Sequence, residues 1–236
     1  MIRMRGPFPD AGNKGLLAQC APQQGATTLT QGLGLRTSRI RRKFVMRAYL
    51  ALAILFLFAT AARGQDKALQ MQIEACRKIA QQVADAHNAL LIKELQFSGP
   101  VRSLMFCKFG CPDITSAQSR RTGWKVSMVS LKPRNSAMGM ADVWEQNAIL
   151  SFQRRRAKGE AADAMELAEK VREPQGSFFR YAKAIPVEPM CLTCHGARDA
   201  LPDGVKDQLA LDYPHDLATG FSAGQVYGIV SIKGPQ

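Results

Sequence analysis

Residues 66–96 read DKALQMQIEACRKIAQQVADAHNALLIKELQ, and no Pro or Gly interrupts them. Apolar residues such as Leu69, Ile73 and Cys76 recur in this stretch at intervals of three and four. In an α-helix that spacing places the apolar side chains on one face, with Lys, Glu, Gln and Asp between them. The pattern predicts a long amphipathic helix, built in two parts, that ends before the Ser-Gly-Pro turn at 98–100.

After this helix the sequence alternates between strand and helix patterns. Residues 123–131, 177–187 and 224–233 are typical of strands. Helical patterns occur at 101–112, at 143–152 after a capping Asp142, at 160–171 and within 197–212, with a loop at 133–140. Because helices come first and strands lie on both sides of a helical insertion, we expect an α+β fold with an antiparallel sheet.

The formal net charge of the chain, +13, suggests a protein that binds nucleic acid or a membrane surface. However, residues 1–64 contain ten Lys or Arg and one Asp, whereas residues 65–236 contain 22 basic and 18 acidic residues. The basic excess therefore belongs mostly to the leader, and the remainder has an ordinary mixed-charge surface. We expect no nucleic-acid partner.

A secretory signal peptide is predicted over residues 46–64. Met46-Arg47 forms a short basic region, and residues 48–59 form a 12-residue apolar core, too short to span a bilayer comfortably. Small residues follow, and we expect cleavage near residues 61–64, giving a periplasmic or secreted protein with no stable membrane span. An uncleaved membrane anchor is the alternative. Residues 1–45 are interpreted as an upstream translation artefact or disordered leader, and residues 65–236 as the mature domain.

The strongest chemical motif is Cys191-Leu192-Thr193-Cys194-His195. Two thiols at this spacing can each add to one vinyl group of the same porphyrin, and the histidine that follows can ligate its iron. The flanking Pro and Gly favour a loop over the helix start that a redox dithiol would need. A zinc site or a disulfide is the alternative interpretation. Covalent haem attachment takes place outside the bacterial cytoplasm, and the predicted signal peptide meets that requirement.

Eight motifs extend this pattern from about residue 66 to the C-terminus. They are Cys107-x-x-x-x-Pro112, Gly123-Trp124-x-Val126, Lys132-x-Arg134-Asn135, Trp144-Glu145, Phe179-x-Tyr181-x-x-Ala184-Ile185, Cys191-Leu192-x-Cys194-His195-Gly196, Tyr213-Pro214-x-Asp216 and Gly220-Phe221-x-x-Gly224. In this order they resemble the Tll-type haem-c domain, a bacterial domain found as a small exported haem protein and as the sensor region of signalling proteins. The resemblance implies a PAS-like antiparallel sheet with a long N-terminal helix and helical insertions, and one covalent haem c.

The resemblance also implies the axial ligands of the iron. Members of the family use the motif histidine as proximal ligand and a cysteine thiolate from the helical region as distal ligand, and these positions fall on His195 and Cys107. Cys111 stands where the family commonly has a small residue. The alternatives for the distal position are Cys111, His87, His215, Met190 or an open site. A disulfide between Cys107 and Cys111 would remove the ligand, since the expected compartment is oxidising.

A His/thiolate pair stabilises ferric iron and leaves no open position unless one ligand dissociates. We therefore expect a redox or gas sensor or binding module that passes its signal to an unknown redox or signalling partner protein. A small periplasmic electron-transfer cytochrome is the alternative. A haem enzyme is less favoured, because the sequence contains no catalytic constellation apart from the haem site. The long helix also offers a surface for a homodimer.

Overall fold

The computed structural model describes residues 34–235. The helices are α1 (Gly34–Thr122), α2 (Ser136–Gly139), α3 (Val143–Ala157), α4 (Leu192–His195) and α5 (Asp203–Asp212). The strands are β1 (Lys125–Val129), β2 (Glu166–Glu173), β3 (Gly176–Pro186) and β4 (Val226–Pro235). Short 3-10 turns lie at Ala162–Ala164, Pro189–Cys191 and Arg198–Ala200.

The chain divides into two compact units, one ending at Thr60 and one beginning at Ala61. In the first, the described residues form the start of α1. The predicted leader comprises residues 1–45, and its residues 1–33 lie outside the residues that the structure describes. Across the described range, no helix combines the length and apolar character that crossing a membrane requires. Cleavage of the predicted signal peptide stays a prediction.

The second unit is built on a four-stranded antiparallel sheet in the order β1-β4-β3-β2. The central strand β4 is buried almost continuously from Gly228 to Ile232, because helices cover both faces of the sheet. On one face, Ile149 and Phe152 of α3 pack against Ile229. On the other face, α1 contributes Val83 and its neighbours to a separate cluster. The predicted α+β class, with a long N-terminal helix, an antiparallel sheet and helical insertions, is confirmed.

Helix α1 breaks at Gly99, whose φ of +72° places it outside the helical region. Pro100 then begins a second helical segment, where its missing N–H costs no hydrogen bond. The two segments pack side by side, since Arg121 donates to Gln82 and a Cβ on Gly110 would lie 2.6 Å from a methyl group of Leu90. The break at Gly99 confirms the predicted end of the first segment, whereas the predicted division of residues 66–96 into two parts is wrong, since α1 has no break within that range.

Four further local predictions are wrong. The loop expected at 133–140 contains the single-turn helix α2, because the Asn135 side chain caps it by accepting from the Ala137 N–H. The helix expected at 101–112 continues past Pro112 to Thr122, because Ser119 and Arg121 near its end are held by contacts with β1 and the first segment. Residues 160–171 form a short turn and β2 instead of a helix, because β2 pairs along its whole length with β3. The Cys-x-x-Cys-His motif lies on a 3-10 turn and the single helical turn α4, not on an irregular loop.

Candidate functional site

A cavity of about 530 Å³ lies between the two segments of α1, strand β1, helix α2 and the Cys-x-x-Cys-His turn. Its volume is within the roughly 300–1,000 Å³ of small-molecule and cofactor sites. The four residues predicted to form the site, Cys107, Cys191, Cys194 and His195, all line this one cavity. Of the alternative distal ligands, Cys111, His87 and Met190 also belong to the lining, whereas His215 does not.

Backbone hydrogen bonds hold both ends of the motif turn. Before the motif, the Val187 N–H donates to the Gln225 carbonyl over 2.8 Å, and the Val187 carbonyl accepts from Gly224 over 2.7 Å. After it, the His195 carbonyl accepts from the Phe221 N–H over 2.9 Å. Gly196 closes the turn at a point where a Cβ would lie 2.6 Å from the Leu192 carbonyl oxygen. This close approach explains why glycine follows the histidine.

The imidazole of His195 has one nitrogen engaged by the protein. Its Nδ1 lies 2.7 Å from the Ala218 carbonyl oxygen. Burial is the main cause that lowers the pKa of His195 to about 3, and the positive charge of Arg134 is the second. The ring is therefore neutral at ordinary pH. A neutral ring that donates from Nδ1 keeps its lone pair on Nε2, the arrangement found in metal-ligating histidines. Tyr227 packs edge-on against this ring at 5.0 Å between centroids.

Arg134 connects the motif turn to two other loops. Its Nη2 donates to the carbonyl oxygens of Cys194 and Ala218, over 2.5 and 3.3 Å, and its Nε donates to Asp216 Oδ2 over 3.2 Å. The other oxygen of Asp216 accepts from the Ala218 N–H over 2.8 Å. Asp216 therefore positions the carbonyl that His195 uses. Sequence reasoning assigned no role to Arg134 or Asp216, although both belong to the motifs that indicated the family.

Cys107 and Cys111 lie one turn apart in the second segment of α1, and both are free thiols. The Cys111 thiol donates a hydrogen bond to the Cys107 sulfur, which lowers the pKa of Cys107 and raises that of Cys111. The positive charge of Arg134 lowers the pKa of Cys107 further. Cys107 is therefore the thiol of the pair that ionises first, as a thiolate ligand must.

The two motif thiols are also free in the structure. Burial raises the pKa of both Cys191 and Cys194, which keeps them as neutral thiols. Cys194 packs in an apolar cluster with Leu104 of α1 and Val205 of α5. The cavity thus combines a neutral imidazole, an ionisable thiol and two thiols at the spacing used for porphyrin attachment.

Comparisons with known proteins identify the fold and the family of this chain. The crystal structure of the cyanobacterial heme-protein Tll0287 aligns with a TM-score of 0.51 and 22% sequence identity, over 72% of this chain and 96% of its own. At that identity the alignment shows a shared fold. No curated protein sequence matches this chain. The family model described as Tll0287-like matches residues 58–235. The chain therefore belongs to the Tll0287-like family.

Proposed function

We propose that this protein binds one haem c, joined to Cys191 and Cys194 by thioether bonds, with His195 and Cys107 as axial ligands. The observation that supports this most directly is the donor set around one cavity. His195 is held neutral with Nε2 available, and Cys107 is the more acidic thiol of its pair. The heme-protein named by the matching crystal structure is consistent with this cofactor.

Each residue of the site then has a defined task. Ala218 holds the tautomer of His195, and Arg134 and Asp216 hold Ala218. Arg134 also stabilises negative charge on Cys107. Bound haem would supply a one-electron redox centre whose axial ligands can exchange. Because an anionic sulfur stabilises ferric iron, reduction of a bound haem would weaken the hold of Cys107.

We propose that this response to reduction is the function: an exported redox or gas sensor module that reports to a partner protein. His87 and Met190 line the same cavity and have neutral side chains that could replace Cys107 as a ligand. Export through a signal peptide at 46–64 is part of the proposal, because haem c is attached outside the cytoplasm. An electron-transfer cytochrome is the second candidate.

The first experiment is a pyridine haemochrome spectrum on protein co-expressed with the haem c maturation machinery. We expect one haem per chain that acid-acetone does not extract, and its loss to extraction in a Cys191→Ser, Cys194→Ser variant. Cys107→Ser should remove the thiolate signature from the ferric spectrum, whereas Cys76→Ser, at a fully buried thiol elsewhere in α1, should leave it unchanged. Extractable haem in the wild type, or no haem, would contradict the proposal.

Carbon monoxide distinguishes the candidate roles. A sensor should bind CO slowly after reduction, because Cys107 must dissociate first. An electron carrier should not bind CO, and an enzyme with an open site should bind it at once, without a ligand-exchange phase. Stopped-flow spectra of the reduced protein, with Cys107→Ser as the control that lacks the thiolate, separate these three outcomes.

A further inference from the structure

Cys107 and Cys111 lie one helical turn apart on α1, at a Cα separation that a disulfide can span. At a separation of four residues on a helix, two Cα atoms lie about 6 Å apart. Disulfides span Cα separations of roughly 4.4–6.8 Å. Both residues are half-buried free thiols in the wall of the same cavity.

The helical turn between the two thiols is easier to deform than an ordinary turn. Gly110 lies within it, and Pro112 follows it directly. Because proline has no N–H, the carbonyl of Lys108 lacks its usual helical donor. The backbone adjustment that a disulfide requires therefore breaks fewer hydrogen bonds here than elsewhere in α1.

The other thiols among the described residues are less suited to react with an oxidant. Cys76 is fully buried, and burial raises its pKa to about 12, which makes it inert. Cys191 and Cys194 are consumed by thioether bonds if the proposed function is right. In the haem-loaded protein, the half-buried pair in α1 is thus the reactive dithiol of the described chain.

We propose that Cys107 and Cys111 form a reversible disulfide that withdraws Cys107 from the iron, so that thiol oxidants control the axial position opposite His195. The inference rests on the proposed function and adds a second input to it. The reactant class is a disulfide, either a small molecule or the active-site disulfide of a thiol oxidoreductase.

The reaction proceeds by thiol–disulfide exchange. When Cys107 is not bound to iron, its thiolate attacks one sulfur of the oxidant, the S–S bond of the oxidant breaks, and one thiolate leaves. Cys111 then loses its proton, attacks the Cys107 sulfur of the mixed disulfide and releases the second thiolate. The protein loses two electrons and two protons, and the oxidant is reduced to two thiols.

The test equilibrates haem-loaded protein with glutathione buffers of increasing disulfide content. Peptide mass spectrometry after alkylation maps free thiols, and titration with imidazole measures access to the ferric iron. We expect a Cys107–Cys111 disulfide to form reversibly, and the apparent affinity for imidazole to rise roughly tenfold or more, since the competing thiolate is removed. Cys111→Ser should keep the thiolate spectrum and weak imidazole binding in every buffer, and Cys76→Ser should behave as the wild type.

Two results would overturn this inference. One is that both thiols stay free in the most oxidising buffer. The other is that the disulfide forms without any change in imidazole affinity. A haem-stained denaturing gel of the same sample tests the proposed function separately, since a failure of covalent attachment is visible there whatever the state of the thiols. Cys111→Ala serves as the matched variant if the serine variant does not fold.

Discussion

Two arginines in this molecule are buried in different ways, and the difference separates the residues that support the fold from those that serve the site. Arg180 on β3 is 3% exposed and pairs with three carboxylates, those of Asp142, Glu145 and Glu173, at 2.7, 3.2 and 3.0 Å. Arg134 pairs with one carboxylate through its Nε, and its Nη2 donates to two backbone carbonyls beside the cavity.

The Arg180 cluster, Arg180 with Asp142, Glu145 and Glu173, pairs its charges within the protein, although the buried Nε of Arg180 has no hydrogen-bond partner among the described residues. Its guanidinium also lies 4.6 Å from the ring centre of Trp144, on the face of the sheet covered by α3. The cavity, in contrast, presents an imidazole nitrogen and thiols that the protein itself does not use. Ion pairs that are completed within the protein contribute to stability. Polar side chains that line a cavity without a protein partner indicate a bound ligand. Matched substitutions at the two arginines should separate these contributions.

The largest effect is expected at Arg180. Arg180→Gln leaves the carboxylates of Glu145 and Asp142 without this cation, and breaking a buried ion pair costs about 3–5 kcal/mol. The free energy of unfolding from urea titration should fall by this amount, with the haem spectrum of the folded protein unchanged. Arg172→Gln, an exposed arginine on β2, is the control and should change stability by less than ~0.5 kcal/mol. An altered haem spectrum in Arg180→Gln would remove the distinction between the two regions.

A smaller loss of stability, with a spectral change, is expected at Arg134. Its side chain is 13% exposed, and its hydrogen bonds to charged or carbonyl partners correspond to about 1.5–3 kcal/mol. In Arg134→Gln the carbonyl of Ala218 and the charge near Cys107 both change, so the ferric absorption spectrum should shift. Arg134→Lys, which keeps the charge but not the planar group, should keep more of the proposed ligation by Cys107. Unchanged spectra in both variants would leave Arg134 with a purely structural role.

The sequence predicted the parts of the fold that depend on local pattern. The apolar periodicity of residues 66–96 predicted the first part of α1, and Asp142 caps α3 in a reciprocal capping box with Glu145. The residues of β2, ELAEKVRE, are strong helix formers, and local propensity therefore indicated a helix. Pairing with β3 overrides that preference, and the charged residues suit β2 to the edge of the sheet.

In the candidate site, too, local patterns were predictable from the sequence and contacts between distant segments were not. The spacing of Cys191, Cys194 and His195 is local and could be recognised directly, and Cys107 followed from the family pattern. The link between Arg134 and Asp216 spans 82 residues, and no local pattern predicts which loops meet. The Arg180 cluster likewise joins β3 to the start of α3, and its link between Asp142 and Arg180 spans 38 residues.

A third and smaller effect is expected between the two segments of α1, beside the thiols. In Gly110→Ala the new methyl group would meet Leu90 at 2.6 Å, and overpacking costs about 1–3 kcal/mol. Replacing glycine by alanine within a helix returns about 0.5–1 kcal/mol, so the net loss should be near 1 kcal/mol. The measurement is urea unfolding, with a Leu90→Ala, Gly110→Ala double variant to relieve the contact. Additive losses in the double variant would contradict side-by-side packing of the segments.

The smallest effect concerns pH and belongs to the Arg180 cluster. A hydrogen bond from Lys233 is the largest cause that lowers the pKa of Glu173 below its ordinary 4.5, and a hydrogen bond from Arg180 lowers it further. Burial alone would raise the pKa of Asp142, but hydrogen bonds from the Glu145 N–H and Arg180 outweigh it and lower the pKa below 3.8. Both carboxyls therefore bind protons more readily in the unfolded chain.

The stability that these two carboxylates contribute is complete above their unfolded pKa values and is lost as the pH falls through the lower values of the folded state. Urea unfolding at a series of pH values should show a free energy that declines below about 4.5, the unfolded value for Glu173. The decline should be shallower in Arg180→Gln, because Asp142 loses its cation while Glu173 keeps Lys233. Arg172→Gln should reproduce the wild-type decline, and equal slopes in all three proteins would show that the Arg180 cluster does not hold its carboxylates in the charged form.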